Sequence, residues 1–92
     1  VEQSDINIGQ VVKSTQGRDK GKFFIILEQI DKEFVLIVDG HIRKIDRPKK
    51  KKLKHLAKLN IISEEVKERI TQEKKINNAF IRKELERLGA NA

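Results

Sequence analysis

Lys13, Arg18, Lys20 and Lys22 surround two glycines, Gly17 and Gly21, and a second group of cations follows in Arg47, Lys49, Lys50, Lys51, Lys52 and Lys54. These residue types in this arrangement suit the binding of phosphates. Glycine lets backbone come close to an anion, and the long cationic side chains supply charge around it. Arg18 and Lys22 are the favoured contacts in the loop, arginine because its planar fork binds two acceptors at once. Asp19 is expected to shape the loop as a cap or an ion-pair partner, and Gly21 to serve backbone geometry. The plainer alternative is a hairpin turn with solvated lysines.

The run at 47–54 is harder to explain blandly. Four consecutive lysines repel one another, and Pro48 keeps the segment extended, so the run is costly unless a dense anion relieves it. A solvated linker leaves Leu53 and Leu56 unexplained, since both are suited to docking the strip onto a folded body. A nuclear-import patch requires a eukaryotic source that the sequence does not show. Cations touching about five phosphates of an RNA would give a slope of log K against log salt near −3.5, from about −0.7 per contact. Such lysine contacts confer affinity more than sequence choice.

The charge is concentrated. The 92 residues hold 21 Lys and Arg against 14 Asp and Glu, a net charge of +7. Residues 1–46 carry 7 basic and 8 acidic side chains, residues 47–60 carry 7 and none, and residues 61–92 carry 7 and 6. The whole excess therefore sits in one short stretch as a local positive field, whose natural partner is a polyanion.

Other chemistries fit poorly. Residues 17–22 approach a phosphate-binding loop of nucleotide hydrolases, but one residue is missing between the glycines, and Phe23 stands where a Ser or Thr must hold magnesium. His41 and His55 have no metal-ligand spacing, and Ser4, Ser14 and Ser63 lie in no nucleophile context. Without cysteine there is no disulfide, thiolate metal site or thiol nucleophile. A chain this short supports one modest core. These points predict a noncatalytic protein with no metal and no cofactor. No apolar run approaches the ~20 residues of a membrane span, and the acidic residues 1–5 are unlike a signal peptide, which predicts a soluble, cytoplasmic monomer with no membrane partner.

The elements that must position these cations come in two halves. Ile6, Ile8, Val11 and Val12 mark one strand, residues 23–27 a second and residues 34–38 a third, and Asp39-Gly40 signals a hairpin leading to a fourth around Ile42 and Ile45. Four short strands suggest a small barrel. The second and third strands are apolar on both faces, so one face fills the barrel and the other needs a cover from the second half of the chain. After Pro48 the pattern turns helical, with a short β-like segment at 53–56 first. Ser63 caps one helix, with Glu64 and Glu65 favouring its positive end and Ile62, Val66 and Ile70 on its apolar stripe. Asn77 or Asn78 caps a second, with Ile81, Leu85 and Leu88 as its stripe and Gly89 as its stop; a frayed tail follows.

Residues 8–22, with an opening glycine (Gly9), paired valines and a glycine-bounded basic loop entering an apolar strand, resemble a KOW motif. The likeness continues through residues 34–38 to the basic run ending Leu53-Lys54-His55-Leu56, spanning residues 6–57, where the chain resembles the KOW-bearing large-subunit ribosomal proteins of archaea and eukaryotes and especially their small bacterial relatives. The segment Ile76-Asn77-Asn78-Ala79-Phe80-Ile81-Arg82-Lys83 resembles the tail of those bacterial relatives. The resemblance implies a mainly β fold: an SH3-like barrel over residues 1–60, carrying a basic strip at 47–58, with a helical extension over residues 61–92 packed on it or tethered to it. It also implies RNA binding in a translation context, with ribosomal RNA and ribosomal proteins as partners. The RNA-binding candidates are Lys13, Arg18, Lys20, Lys22, Arg43, Lys44, Arg47, Lys49, Lys50, Lys51, Lys52, Lys54 and His55, with Gly9, Gly17, Asp19 and Gly21 setting loop geometry.

Aromatic content narrows the type of reader. Only Phe23, Phe24, Phe34 and Phe80 are present, and the three in apolar strands are expected to pack the core. Recognition should then rest on the backbone and shape of folded RNA, not on stacking of unpaired bases. The competing expectations are a KOW adaptor that docks on proteins and a duplex-DNA binder.

Overall fold

Runs of β-branched and aromatic residues build the central strands of the computed structural model, which describes residues 6–89. In chain order the elements are β1 (Gln10–Ser14), β2 (Phe23–Gln29), β3 (Phe34–Val38), β4 (Lys49–Lys52), a 3-10 turn (Leu53–His55), β5 (Leu56–Ile62), α1 (Glu64–Thr71) and α2 (Asn78–Arg87). The strands form one antiparallel sheet in the order β4-β3-β2-β1-β5. The fold is mainly β with two helices. The acidic residues 1–5 and the tail at 90–92 lie outside the described residues.

The two edge strands, β4 and β5, are consecutive in the chain and joined only by the 3-10 turn. In a flat sheet their axes would stand roughly 19 Å apart, four spacings of about 4.8 Å. A 3-10 turn rises only about 2 Å per residue. The sheet must therefore curl until its edges come within reach of that turn.

Curling gives the sheet an inner and an outer face, and alternation along each strand supplies both with apolar residues. Val12, Phe24, Ile26, Val35 and Ile37 cluster with Leu53 of the turn on the inner face. Val11, Ile25 and Val38 pack on the outer face against Val66 of α1 and against Ile81 and Leu85 of α2. The helices are thus the cover that the two-faced strands require. Their termini follow the expected caps. Ser63 Oγ accepts from Val66 N–H at 3.1 Å, Asn77 Oδ1 accepts from Phe80 N–H at 2.8 Å, and Gly89 follows α2 at φ +77°.

Four expectations need correction. No strand forms around Ile42 and Ile45. Instead the Asp39 carboxylate accepts from the amides of His41 at 2.9 Å and Arg43 at 2.8 Å, closing a local turn that competes with strand pairing. Ile45 N–H is taken by Asn78 Oδ1 at 2.8 Å, so this loop docks on the start of α2. Second, the segment directly after Pro48 is not helical: the lysine run is itself the fourth strand, paired along the free edge of β3, and the first α-helix begins only at Glu64. Third, residues 53–55 form a 3-10 turn, and the strand begins at Leu56 and runs to Ile62, past the expected boundary at residue 60. Fourth, the first strand starts at Gln10, because Gly9 at φ +89° breaks the extended backbone before it. No helix of the described residues is long and apolar enough to cross a membrane.

Candidate functional site

The loop between β1 and β2 is a tight structure closed by its own backbone. Gly21 N–H donates to the Ser14 carbonyl at 2.8 Å, Ser14 N–H to Lys22 at 2.9 Å, and Lys22 N–H to Asp19 at 3.0 Å. Gly17 and Gly21 stand at φ +88° and +87°, backbone that glycine adopts readily. Arg18, Lys20 and Lys22 are exposed on it.

Three contacts draw the other basic segments to this loop. Asp19 is buried and paired with Arg43, its Oδ2 lying 2.9 Å from Nη2 and accepting from Nε at 3.0 Å, which ties in the turn that carries Lys44 and Arg47. Lys51 Nζ donates to the Gln16 carbonyl at 2.9 Å. Thr15 N–H donates to the His55 carbonyl at 2.9 Å, which fixes the 3-10 turn and Lys54 beside the loop. The loop is far in sequence from the turn around Arg43 and from the strip from Lys49 to His55 that follows it, yet the three share one surface.

On β4 the lysines alternate. Lys49 and Lys51 stand opposite Ile37 and Val35 of the inner cluster, while Lys50 and Lys52 stand opposite Leu36 and Phe34 on the outer face. Same-face neighbours on a strand are about 6.5–7 Å apart, which relieves part of the repulsion a run of four would otherwise suffer. Lys50 Nζ lies 4.6 Å and Lys52 Nζ 5.9 Å from the centre of the Phe34 ring. Leu53 is buried and Leu56 packs against the same cluster, anchoring the strip to the body. Lysines on an edge strand also discourage the addition of a foreign strand.

Apart from Arg43, the cations of this surface have no carboxylate partner among the described residues. Among the described residues the ion pairs are Asp19 with Arg43 and Glu84 with Arg87. No cation of the basic strip is matched by a carboxylate there. Nor do His, Asp and Glu side chains of the described residues gather into a group able to hold a metal ion.

Not every sequence candidate joins the surface in the same way. The Arg43 guanidinium is engaged by Asp19, so it positions the loop. Gly9 belongs elsewhere: its carbonyl accepts from Ser63 N–H at 2.8 Å, and a Cβ on it would meet the Ser63 carbonyl at 2.6 Å, so it permits close approach of α1. Lys13, paired opposite Phe23, extends the exposed cationic surface along β1, its Nζ 5.6 Å from that ring.

Two features escape sequence reading. Phe24 is fully buried as expected, but Phe34 is half-buried, belongs to neither cluster and carries two lysines, a pairing set by a β3–β4 register that no local pattern reveals. The second is Glu84, buried at 6% exposure on α2. Its Oε1 accepts from Ser63 Oγ–H at 2.7 Å, and Arg87 grips the carboxylate through Nε at 3.0 Å and Nη2 at 2.8 Å. The Arg87 hydrogen bond, helped by that of Ser63 and by the nearby Arg87 and Arg69 charges, holds the Glu84 carboxyl below its ordinary value against the opposing effect of burial. Its spacing to Arg87 is visible in sequence, but the same spacing on an exposed helix face reads identically. No protein-family model matches this chain, and no curated protein sequence matches it.

Proposed function

We propose that this is a noncatalytic RNA-binding protein of the ribosome or translation machinery, which holds structured RNA, ribosomal RNA foremost, through the glycine-bounded loop and the lysine strand. The observation that carries this reading is the docking of the Arg43 turn and the Lys49–His55 strip on the basic loop at residues 15–22, through Asp19 with Arg43, Lys51 with Gln16 and Thr15 with His55. A chain using lysine only for solubility has no reason to concentrate it on one surface and leave it unpaired. The strand order, with a 3-10 turn linking the two edge strands, supports an SH3-like barrel of the KOW type that the sequence resembles. The cytoplasm is where such a partner would be met.

Crosslinking in native lysate followed by sequencing of the bound RNA tests the reading. Enrichment of ribosomal RNA is expected, and a random sample of the transcriptome would remove the ribosomal assignment. Binding to structured RNA should weaken with salt at a slope of about −3.5 to −4.5 if about five phosphates are touched, and a competition with DNA of equal length decides between RNA and duplex DNA. Replacing Lys49, Lys50, Lys51 and Lys52 by alanine should abolish most of the binding. A protein adaptor would keep its partner after that change.

A further inference from the structure

We infer that β4 acts as a divider between two phosphate tracks, so that the preferred ligand is RNA presenting two backbones side by side, as across a helix groove, and not a lone strand. The inference rests on the RNA-binding reading above. Successive side chains of a strand point to opposite faces, and on β4 every one of these side chains is a lysine. Lys49 and Lys51 share the face of Ile37 and Val35, and Lys51 Nζ reaches Gln16 O, beside the exposed Arg18. Only one of the three donors of that ammonium is engaged there, which leaves it able to meet an anion. Lys58 of β5, opposite Val12, is an exposed cation on the same face. Lys50 and Lys52 lie on the other face and are held over Phe34.

A single strand following one set of cations would have to cross the edge of β4 to reach the other. Two adjacent backbones need no crossing. A-form RNA supplies that arrangement, because its wide, shallow minor groove is bordered by two phosphate chains that proteins read by shape. β4 is an edge strand paired only with β3, and none of its four lysines is buried, Lys50 being exposed and Lys49, Lys51 and Lys52 partly so.

The test compares two double variants of the full chain, K49Q/K51Q and K50Q/K52Q, on an RNA hairpin and on a poly(U) strand of equal length. Glutamine keeps most of each stem, and circular dichroism with thermal melting reports whether the fold is kept. On the hairpin, each pair should weaken binding by about fifteen- to thirtyfold at 0.15 M salt and flatten the salt slope by about 1.4–1.8, from about −0.7 to −0.9 per contact. The charge-retaining K49R/K51R and K50R/K52R should restore hairpin affinity. On poly(U) only one of the two glutamine pairs should have that effect. Equal losses from both pairs on poly(U), or a silent pair on the hairpin, would overturn the inference while leaving RNA binding in place. Failure of the unaltered protein to bind either RNA at low salt would remove the RNA reading and this inference with it.

Discussion

Asp19 Oδ2 holds the Arg43 guanidinium through both Nη2, at 2.9 Å, and Nε, at 3.0 Å, and so ties the glycine loop to the turn that follows β3. The Asp19 side chain is only 8% exposed and that of Arg43 28%, so the pair is shielded enough to matter. Asp19→Asn separates two explanations of the basic surface. If charge alone set affinity, the variant, one unit more positive, would bind RNA more tightly. If the pair sets the shape of the loop, binding weakens severalfold, and the fold loses about 1–3 kcal/mol from the poorly matched Arg43. The second outcome is expected, read by fluorescence anisotropy beside a urea titration.

Ser63 both caps α1 and donates to Glu84 of α2, so one carboxylate links the two helices. The folded-state pKa of Glu84 is lowered from an ordinary value of 4.5, chiefly by the Arg87 hydrogen bond. Its contribution to stability is therefore complete above the unfolded value and is lost as pH falls through the lowered folded value. Urea midpoints of the unaltered protein should drop below about pH 4.5 by more than those of Glu84→Gln, which has no carboxylate to protonate. At neutral pH, Glu84→Ala should cost about 1–3 kcal/mol by leaving the buried Ser63 hydroxyl without its acceptor. Glu84→Gln, which still offers an oxygen, should cost less.

Gly9 and Gly21 share nearly the same φ, +89° and +87°, but only Gly9 is hemmed in, with the Ser63 carbonyl 2.6 Å and Lys67 N 3.2 Å from where a Cβ would lie. Around Gly21 there is nothing within 4 Å. Alanine at Gly21 should therefore cost only the backbone term of about 1–2 kcal/mol. Alanine at Gly9 adds a backbone clash and must push α1 away from the sheet, so its loss should be clearly larger. Parallel urea titrations of the two variants measure the difference directly.

The parts of this fold written in local pattern were legible in the sequence. β3 was bounded correctly because Phe34–Val38 is an unbroken β-favouring run between turn residues, and both helices announced themselves through Ser63, Asn77 and Gly89. Asp19 was readable as an ion-pair or capping residue because a lone carboxylate among cations in a glycine turn has little else to do. The lysine strand was not readable. Its β conformation comes from the open edge of β3, a tertiary circumstance that overrides the weak strand preference of lysine. For the same reason the partition of Lys49 to Lys52 between two faces, and the choice of Phe34 as the ring beneath two of them, became visible only with the register in hand. Asp39-Gly40 misled because the Asp39 side chain turned the chain locally instead of leading it into a hairpin.

Phe34 has neither cluster to serve, so its apolar bulk can be tested apart from its ring electrons. Phe34→Leu keeps an apolar side chain on β3 but removes the π face over which Lys50 Nζ sits at 4.6 Å. Cation–π attraction at an exposed site is worth about 0.5–1 kcal/mol, so RNA affinity should fall about two- to fivefold while stability changes little. Phe34→Tyr, which retains the ring, should bind as the unaltered protein does. The decisive comparison places Phe34→Leu in the K50Q/K52Q background. If the ring acts by holding the two ammoniums, its loss there has no further effect, because the charges it positions are already gone. If the ring instead stacks on a base, the loss persists in that background at about 1–3 kcal/mol, the size of a base–aromatic contact.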